Sequence, residues 1–304
     1  MEATPTRRRD AGLLLLLTPL IWGLTFPAGK EALERLPLLP FTAWSRLLGV
    51  LTLALTLPFL VQRARLEPRR LIVPGLVLGG LMFVAFLLQS AGLQRTTATN
   101  AGFVTGLYVV FTPVLGLLLF RRPVARAAWV AVGISVVGLA LLSVPGLDDL
   151  APRPGDLLVL ASALVWAGHV VGVGFFAGRH PALPLALAQL VGAAAFHLVA
   201  TAGEGLHLSD AIAVWPLLVI TGVLGSGVAF TIQVVAQGSI SPTRAAIILA
   251  GESVVAAAAA AIWLGERLEP HQWVGAALAV AAMVLSEVGA RRRPELRLDP
   301  ATAV

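Results

Sequence analysis

Glu252 has the strongest claim to chemistry in this sequence. It stands in LAGESVVAAAAAAIW, residues 249–263, a run of helix length with no other ionisable side chain. At the centre of a membrane-spanning helix an acid costs roughly 2.5–3.5 kcal/mol on insertion scales, so a carboxylate there marks a functional-site candidate. Such a group can hold an ammonium ion or carry a proton; the plain alternative is a carboxyl hydrogen-bonded to a neighbouring helix for packing. The other side chains of interest inside apolar runs are His169, the sole tyrosine Tyr108, Arg46, and the indoles of Trp22 and Trp166. This mixture of aromatic, uncharged polar and single acidic groups suits a small amphipathic solute with an apolar or planar body and a polar head.

The surrounding chain is that of an integral membrane protein. Its 304 residues are 58% hydrophobic and 12% charged, against about 25% charged in ordinary soluble domains. Cysteine is absent, which excludes disulfides, thiolate zinc sites and a cysteine nucleophile. The net charge of +6 lies in short clusters between apolar runs rather than on one domain face, so no nucleic-acid partner is expected. No GxxxxGK[ST] or HExxH run occurs, and Gly225-Ser226-Gly227 has no acid–histidine context. Neither an enzyme nor an ATP-driven pump is expected, and no cofactor or metal is called for.

Ten apolar runs must position these side chains, near residues 12–29, 41–61, 71–91, 99–120, 124–145, 155–177, 182–202, 212–236, 243–264 and 271–289. They do not alternate with period two, which excludes a β-barrel. Arg7, Arg8 and Arg9 resemble a signal-peptide start, but the apolar run continues past any small-residue cleavage pattern, so the segment reads as a retained first helix. With the N-terminus inside, 16 of the 22 Lys and Arg residues fall on inner segments and five (Lys30, Arg35, Arg95, Arg153, Arg267) on outer ones. That bias predicts cytoplasmic N- and C-termini.

The acidic, Pro-rich link from Val144 to Gly155 divides the chain into halves of five helices, and at an offset of 144 residues the halves match. Trp22 pairs with Trp166, Pro40 with Pro184, Trp129-Val130 with Trp273-Val274, and VAFLLQ (84–89) with VAFTIQ (228–233). An odd number of helices per repeat inverts the second half, which is the architecture of transporters with a midplane site. The expected fold is an all-α membrane protein of two inverted five-helix repeats, 1–147 and 148–292, with a cytoplasmic tail, 293–304.

Polar residues at matched positions face the shared axis in such an arrangement. Thr25 pairs with His169, Tyr108 with Glu252, Gln89 with Gln233 and Ser45 with Gln189. Trp22, Thr25, Tyr108, Trp166, His169 and Glu252 are therefore the expected cavity lining. Each has a plainer reading: a hydrogen-bonded core histidine for His169, interfacial anchoring or packing for the indoles. Gln89 and Gln233 lie near opposite ends of their spans and are candidate gate residues, with Ser45 and Gln189 as secondary positions. Arg46 either reaches a solute carboxylate or snorkels to the interface.

Span one with Trp22-Gly23, Arg46 early in span two, and GESVVAAAAAAIWLGERL followed by HQWVGAALAVAAMVL resemble the EamA family of the drug/metabolite transporter superfamily. Glu252 and Leu264-Gly265-Glu266 match that family's acid-Pro-Val stretch and Leu-Gly-Glu ending, with Ser253 where Pro is usual and Phe120-Arg121-Arg122 replacing the ending in the first copy. The chain looks most like YddG-type bacterial amino-acid exporters. That resemblance implies a multi-pass protein of the bacterial inner membrane exporting amino acids, aromatic and other bulky or neutral ones, by alternating access. A multidrug or other metabolite exporter of the same fold is the alternative, and a membrane-embedded scaffold or enzyme a remote one. Implied partners are the small solute, the bilayer and a coupling proton; whether the protein is a monomer or homodimer is left open.

Overall fold

The computed structural model describes residues 5–60, 68–121, 124–143 and 153–290. Arg63 and Arg65, Arg122, residues 144–152 of the link and the 293–304 tail lie outside the described residues. Every regular element among the described residues is helical. The first half holds α1 (Pro5–Leu15), α2 (Leu17–Ala32), α3 (Leu38–Leu60), α4 (Pro68–Leu93), α5 (Ala98–Gly106), α6 (Tyr108–Phe120) and α7 (Arg126–Ser143). The second holds α8 (Pro154–Ala177), α9 (Ala182–Thr201), α10 (Leu208–Ala213), α11 (Trp215–Leu218), a π-helical segment (Val219–Ala229), α12 (Phe230–Gln237), α13 (Pro242–Leu249), α14 (Glu252–Trp263) and α15 (Pro270–Ala290).

Among the described residues eight helical stretches are long and apolar enough to cross a bilayer, against the ten expected. The other two, Arg126–Leu141 and Pro270–Leu285, are apolar over a shorter length. They belong to α7 and α15, helices of 18 and 21 residues.

Packing repeats between the halves. The π segment packs on α3 as α9 does on α4; α14 packs on α2 as α6 does on α8; α7 and α15 pair with each other. Apolar burial gives little drive to helix association in lipid, so these contacts depend on small residues that let backbones approach. A Cβ on Gly79 would lie 2.5 Å from the Ala193 nitrogen, and one on Gly138 2.7 Å from the Gly275 oxygen.

The fourth and eighth of these long stretches are each interrupted midway. Between α5 and α6 the chain tightens into i→i−3 bonds, Leu107 N to Val104 O at 3.2 Å and Val110 N to Leu107 O at 2.9 Å. Between α13 and α14 the same happens, Gly251 N to Ile248 O and Ser253 N to Ala250 O, both 3.2 Å. Both broken helices start on a hydroxyl cap at matched positions, Thr97 accepting from Asn100 N and Ser241 from Arg244 N. Proline is not needed for the second break. Gly251 lies where a Cβ would meet the Met283 sulfur at 2.5 Å, and the Ser253 hydroxyl leaves its own helix to donate to Gly102 O at 2.7 Å.

Candidate functional site

The two breaks put Tyr108 and Glu252 at the first positions of α6 and α14, and both side chains line one central cavity. Five of the six expected lining residues reach it: Trp22, Thr25, Tyr108, Trp166 and Glu252. His169 lies one layer behind. Its ring centroid is 5.6 Å from those of both Trp166 and Phe230, which screen it, and its Nε2 is 3.0 Å from Gln189 Oε1. That bond ties α8 to α9. Ser45 is also off the cavity, bonded to Thr221 across 3.1 Å, and Arg46 is buried behind Phe86.

Gln89 and Gln233 both line the cavity, in different states. Gln89 is engaged: the Trp166 indole donates to its Oε1 at 2.8 Å, and its Nε2 donates to Thr105 at 3.4 Å. Trp22, the repeat partner of Trp166, instead donates to the main-chain oxygen of Gly225 at 2.9 Å, inside the π segment. Gln233 is left with both amide atoms buried and unpaired. The Tyr108 hydroxyl points towards the Glu252 carboxylate but forms no hydrogen bond of standard geometry. Buried polar groups are nearly always satisfied, so these unpaired atoms are candidates for contact with a ligand.

Apolar residues passed over in the sequence complete the site. Phe86 and Phe230, matched in VAFLLQ and VAFTIQ, both reach the cavity with ring centroids 5.9 Å apart, and Phe230 lies 4.7 Å from Trp22. Their retention as aromatics in both copies was the available signal.

At the end of the bundle near Lys30, polar contacts join the halves. The chain leaves α14 through Gly265 at φ +70°, which sends Glu266 N back to Ala260 O at 3.3 Å. The Glu266 carboxylate then accepts from Ala98 N at 3.0 Å and Thr99 N at 3.2 Å, at the positive end of α5. Beside it Lys30 Nζ donates to Leu93 O and Thr96 O, each at 2.8 Å, and the Trp263 indole donates to Glu31 at 2.9 Å. The first copy has Arg121, at φ 50°, where the second has Gly265, and Arg122 in place of Glu266. The acidic latch therefore belongs to the second copy.

Two successive stretches, residues 11–144 and 153–287, match the family model described as the EamA-like transporter family. The chain belongs to that family. It is accordingly a multi-pass membrane transporter and not an enzyme. An uncharacterized transporter of Archaeoglobus fulgidus is 29% identical over 93% of this chain and 87% of its own length. A probable amino-acid metabolite efflux pump of Salmonella typhimurium is 26% identical, covering 96% of this chain and 99% of the pump. The threonine/homoserine exporter RhtA of Salmonella typhimurium is 27% identical over 84% of each chain. Glu252 lines the cavity, and Glu266 of the Leu264-Gly265-Glu266 ending accepts from the start of α5.

Proposed function

We propose that this transporter is a secondary exporter of amino acids and related small metabolites, working by alternating access between inverted five-helix repeats, 1–147 and 148–292. The observation that carries the proposal is the matched pair of broken helices, which brings repeat-equivalent Tyr108 and Glu252 to one cavity. Discontinuous helices whose half-helix N-termini flank a central site are how such transporters meet a polar solute inside a bilayer. Glu252 receives the solute ammonium, the Gln233 amide and Tyr108 hydroxyl complete the polar shell, and the Phe86–Phe230–Trp22–Trp166 wall takes the side chain. That wall supports bulky and aromatic solutes, while the names of the relatives support a wider amino-acid range. The positive-inside bias supports a bacterial inner-membrane placement with cytoplasmic termini and with Lys30 and Glu266 outside. Uptake of labelled L-threonine and L-phenylalanine into vesicles holding the reconstituted protein tests the proposal. Uptake above empty vesicles is expected; its absence for every amino acid tried would refute the substrate class. The Glu252 carboxylate among aromatic rings also favours a second reading, cationic amphipaths, which predicts that tetraphenylphosphonium competes with amino acids for uptake.

Two further outcomes follow from the geometry. Gln233→Leu removes a buried amide with no partner, so thermal stability is expected to hold or rise while solute affinity falls about tenfold, the worth of roughly one good hydrogen bond. Unfolding temperature and the concentration dependence of uptake read the two effects separately. Glu266→Ala removes both acceptors at the start of α5. Hydrogen bonds to a charged group are worth about 1.5–3 kcal/mol, so the outer end should open about tenfold more often. In this cysteine-free chain, labelling of Thr105→Cys by an impermeant maleimide added outside is expected to accelerate by that factor.

A further inference from the structure

Arg46 is a buried cation with no ion-pair partner among the described residues. It is 3% exposed, its Nε and Nη1 make no hydrogen bond, and among the described residues no carboxylate lies within ion-pairing distance. Its guanidinium carbon sits 3.5 Å from the centroid of the Phe86 ring, which is itself part of the cavity wall. One aromatic ring therefore stands between the cavity and this charge. His197 lies close by, with its Nδ1 donating to Ala193 O at 2.8 Å and its Nε2 unpaired. The repeat equivalent of Arg46 is Leu190, fully buried at the matching place on α9. The scaffold therefore accepts an aliphatic residue at this point, and the guanidinium is an addition of the first copy. A ring face offsets only part of the cost of a cation within a bilayer, and such a charge is retained where an anion pairs with it. A guanidinium presents a planar fork that matches a carboxylate.

We propose that Arg46 and Phe86 form a gated carboxylate subsite: the Phe86 ring turns away from the guanidinium when a solute enters, and Arg46 then binds the solute's carboxylate. This rests on the export reading for its solute class but not for its test. With the ammonium-binding role given to Glu252, the two charges together select zwitterions over amines and esters.

Thermal unfolding of the purified full-length protein tests the subsite, with L-phenylalanine and L-threonine each compared with its methyl ester. The wild type is expected to bind the acid at least about tenfold more tightly than the ester. Arg46→Leu, which copies Leu190, is expected to abolish that preference and keep wild-type affinity for the ester; Arg46→Lys keeps a reduced preference. Phe86→Leu, which removes the shielding ring, is expected to increase it. Equal binding of acid and ester by the wild type, or an unchanged preference in Arg46→Leu, overturns the subsite. If Arg46→Leu does not unfold cooperatively, unchanged preference in both Arg46→Lys and Phe86→Leu overturns it instead. A carboxylate preference in a protein that moves no amino acid in vesicles would refute export and leave the subsite standing.

Discussion

Glu252→Gln is expected to lower the rate of amino-acid transport at least tenfold while leaving thermal unfolding close to wild type. Glutamine keeps the shape of the side chain and can still face Tyr108, so helix α14 and its break lose nothing in packing. It removes the charge. A hydrogen bond from an ammonium group to a carboxylate is worth about 1.5–3 kcal/mol, which corresponds to roughly one to two orders of magnitude in affinity. If Glu252 also carries the coupling proton, the glutamine variant loses the response to an imposed pH gradient, since an amide does not titrate. Initial rates in vesicles with and without the gradient separate the two roles. A variant with unchanged rate and unchanged gradient response would make Glu252 a packing residue.

Gly79→Leu is expected to disrupt the fold itself. A Cβ at Gly79 would fall 2.5 Å from Ala193 N and 2.8 Å from the Gly192 Cα, and backbone atoms cannot step aside as a flexible side chain can. Helices α4 and α9 would have to separate, and Phe86 and Gln89 on α4 would move with them. Overpacking of a tight site costs about 1–3 kcal/mol, and a backbone clash sits at or above the top of that range. Gly116→Leu supplies the contrast, because nothing lies within 4 Å of a Cβ there and the change should stay within about 0.5 kcal/mol. Unfolding temperature in detergent distinguishes the pair. Equal behaviour of the two variants would contradict the α4–α9 contact.

The sequence carried the polar half of this site better than the aromatic half. Tyr108, Glu252, Gln89 and Gln233 stand out because a polar side chain inside an apolar run is a costly exception, and the 144-residue offset showed which exceptions occur in pairs. Phe86 and Phe230 are matched just as well, but an aromatic residue in an apolar run is no exception, and only the cavity separates them from lipid-facing neighbours. The offset also assigns equivalence without depth. Thr25 and His169 are a matched pair, yet the short threonine reaches the cavity while the larger imidazole turns to Gln189 behind Trp166. Helix breaks were harder still. The absence of proline at Ser253 concealed an interruption that arises from Gly251 against Met283 and from a hydroxyl bonded to Gly102, 151 positions away. Glu266 read as a helix ending for a similar reason, since its partners at Ala98 and Thr99 lie in the other half of the chain. Among the described residues the ten apolar runs correspond to eight stretches long enough to span a bilayer and two shorter apolar ones, Arg126–Leu141 and Pro270–Leu285.

Alternating access is the central claim, and side-specific labelling of its two ends tests it most directly. The chain contains no cysteine, so Gln89→Cys and Gln233→Cys can each be made alone and exposed to an impermeant maleimide from either side of oriented vesicles. The account predicts that Gln89→Cys labels from the Lys30 side and Gln233→Cys from the opposite side, and that a saturating amino acid raises one rate as it lowers the other. Labelling of both positions from the same side, or rates that ignore the amino acid, would contradict it.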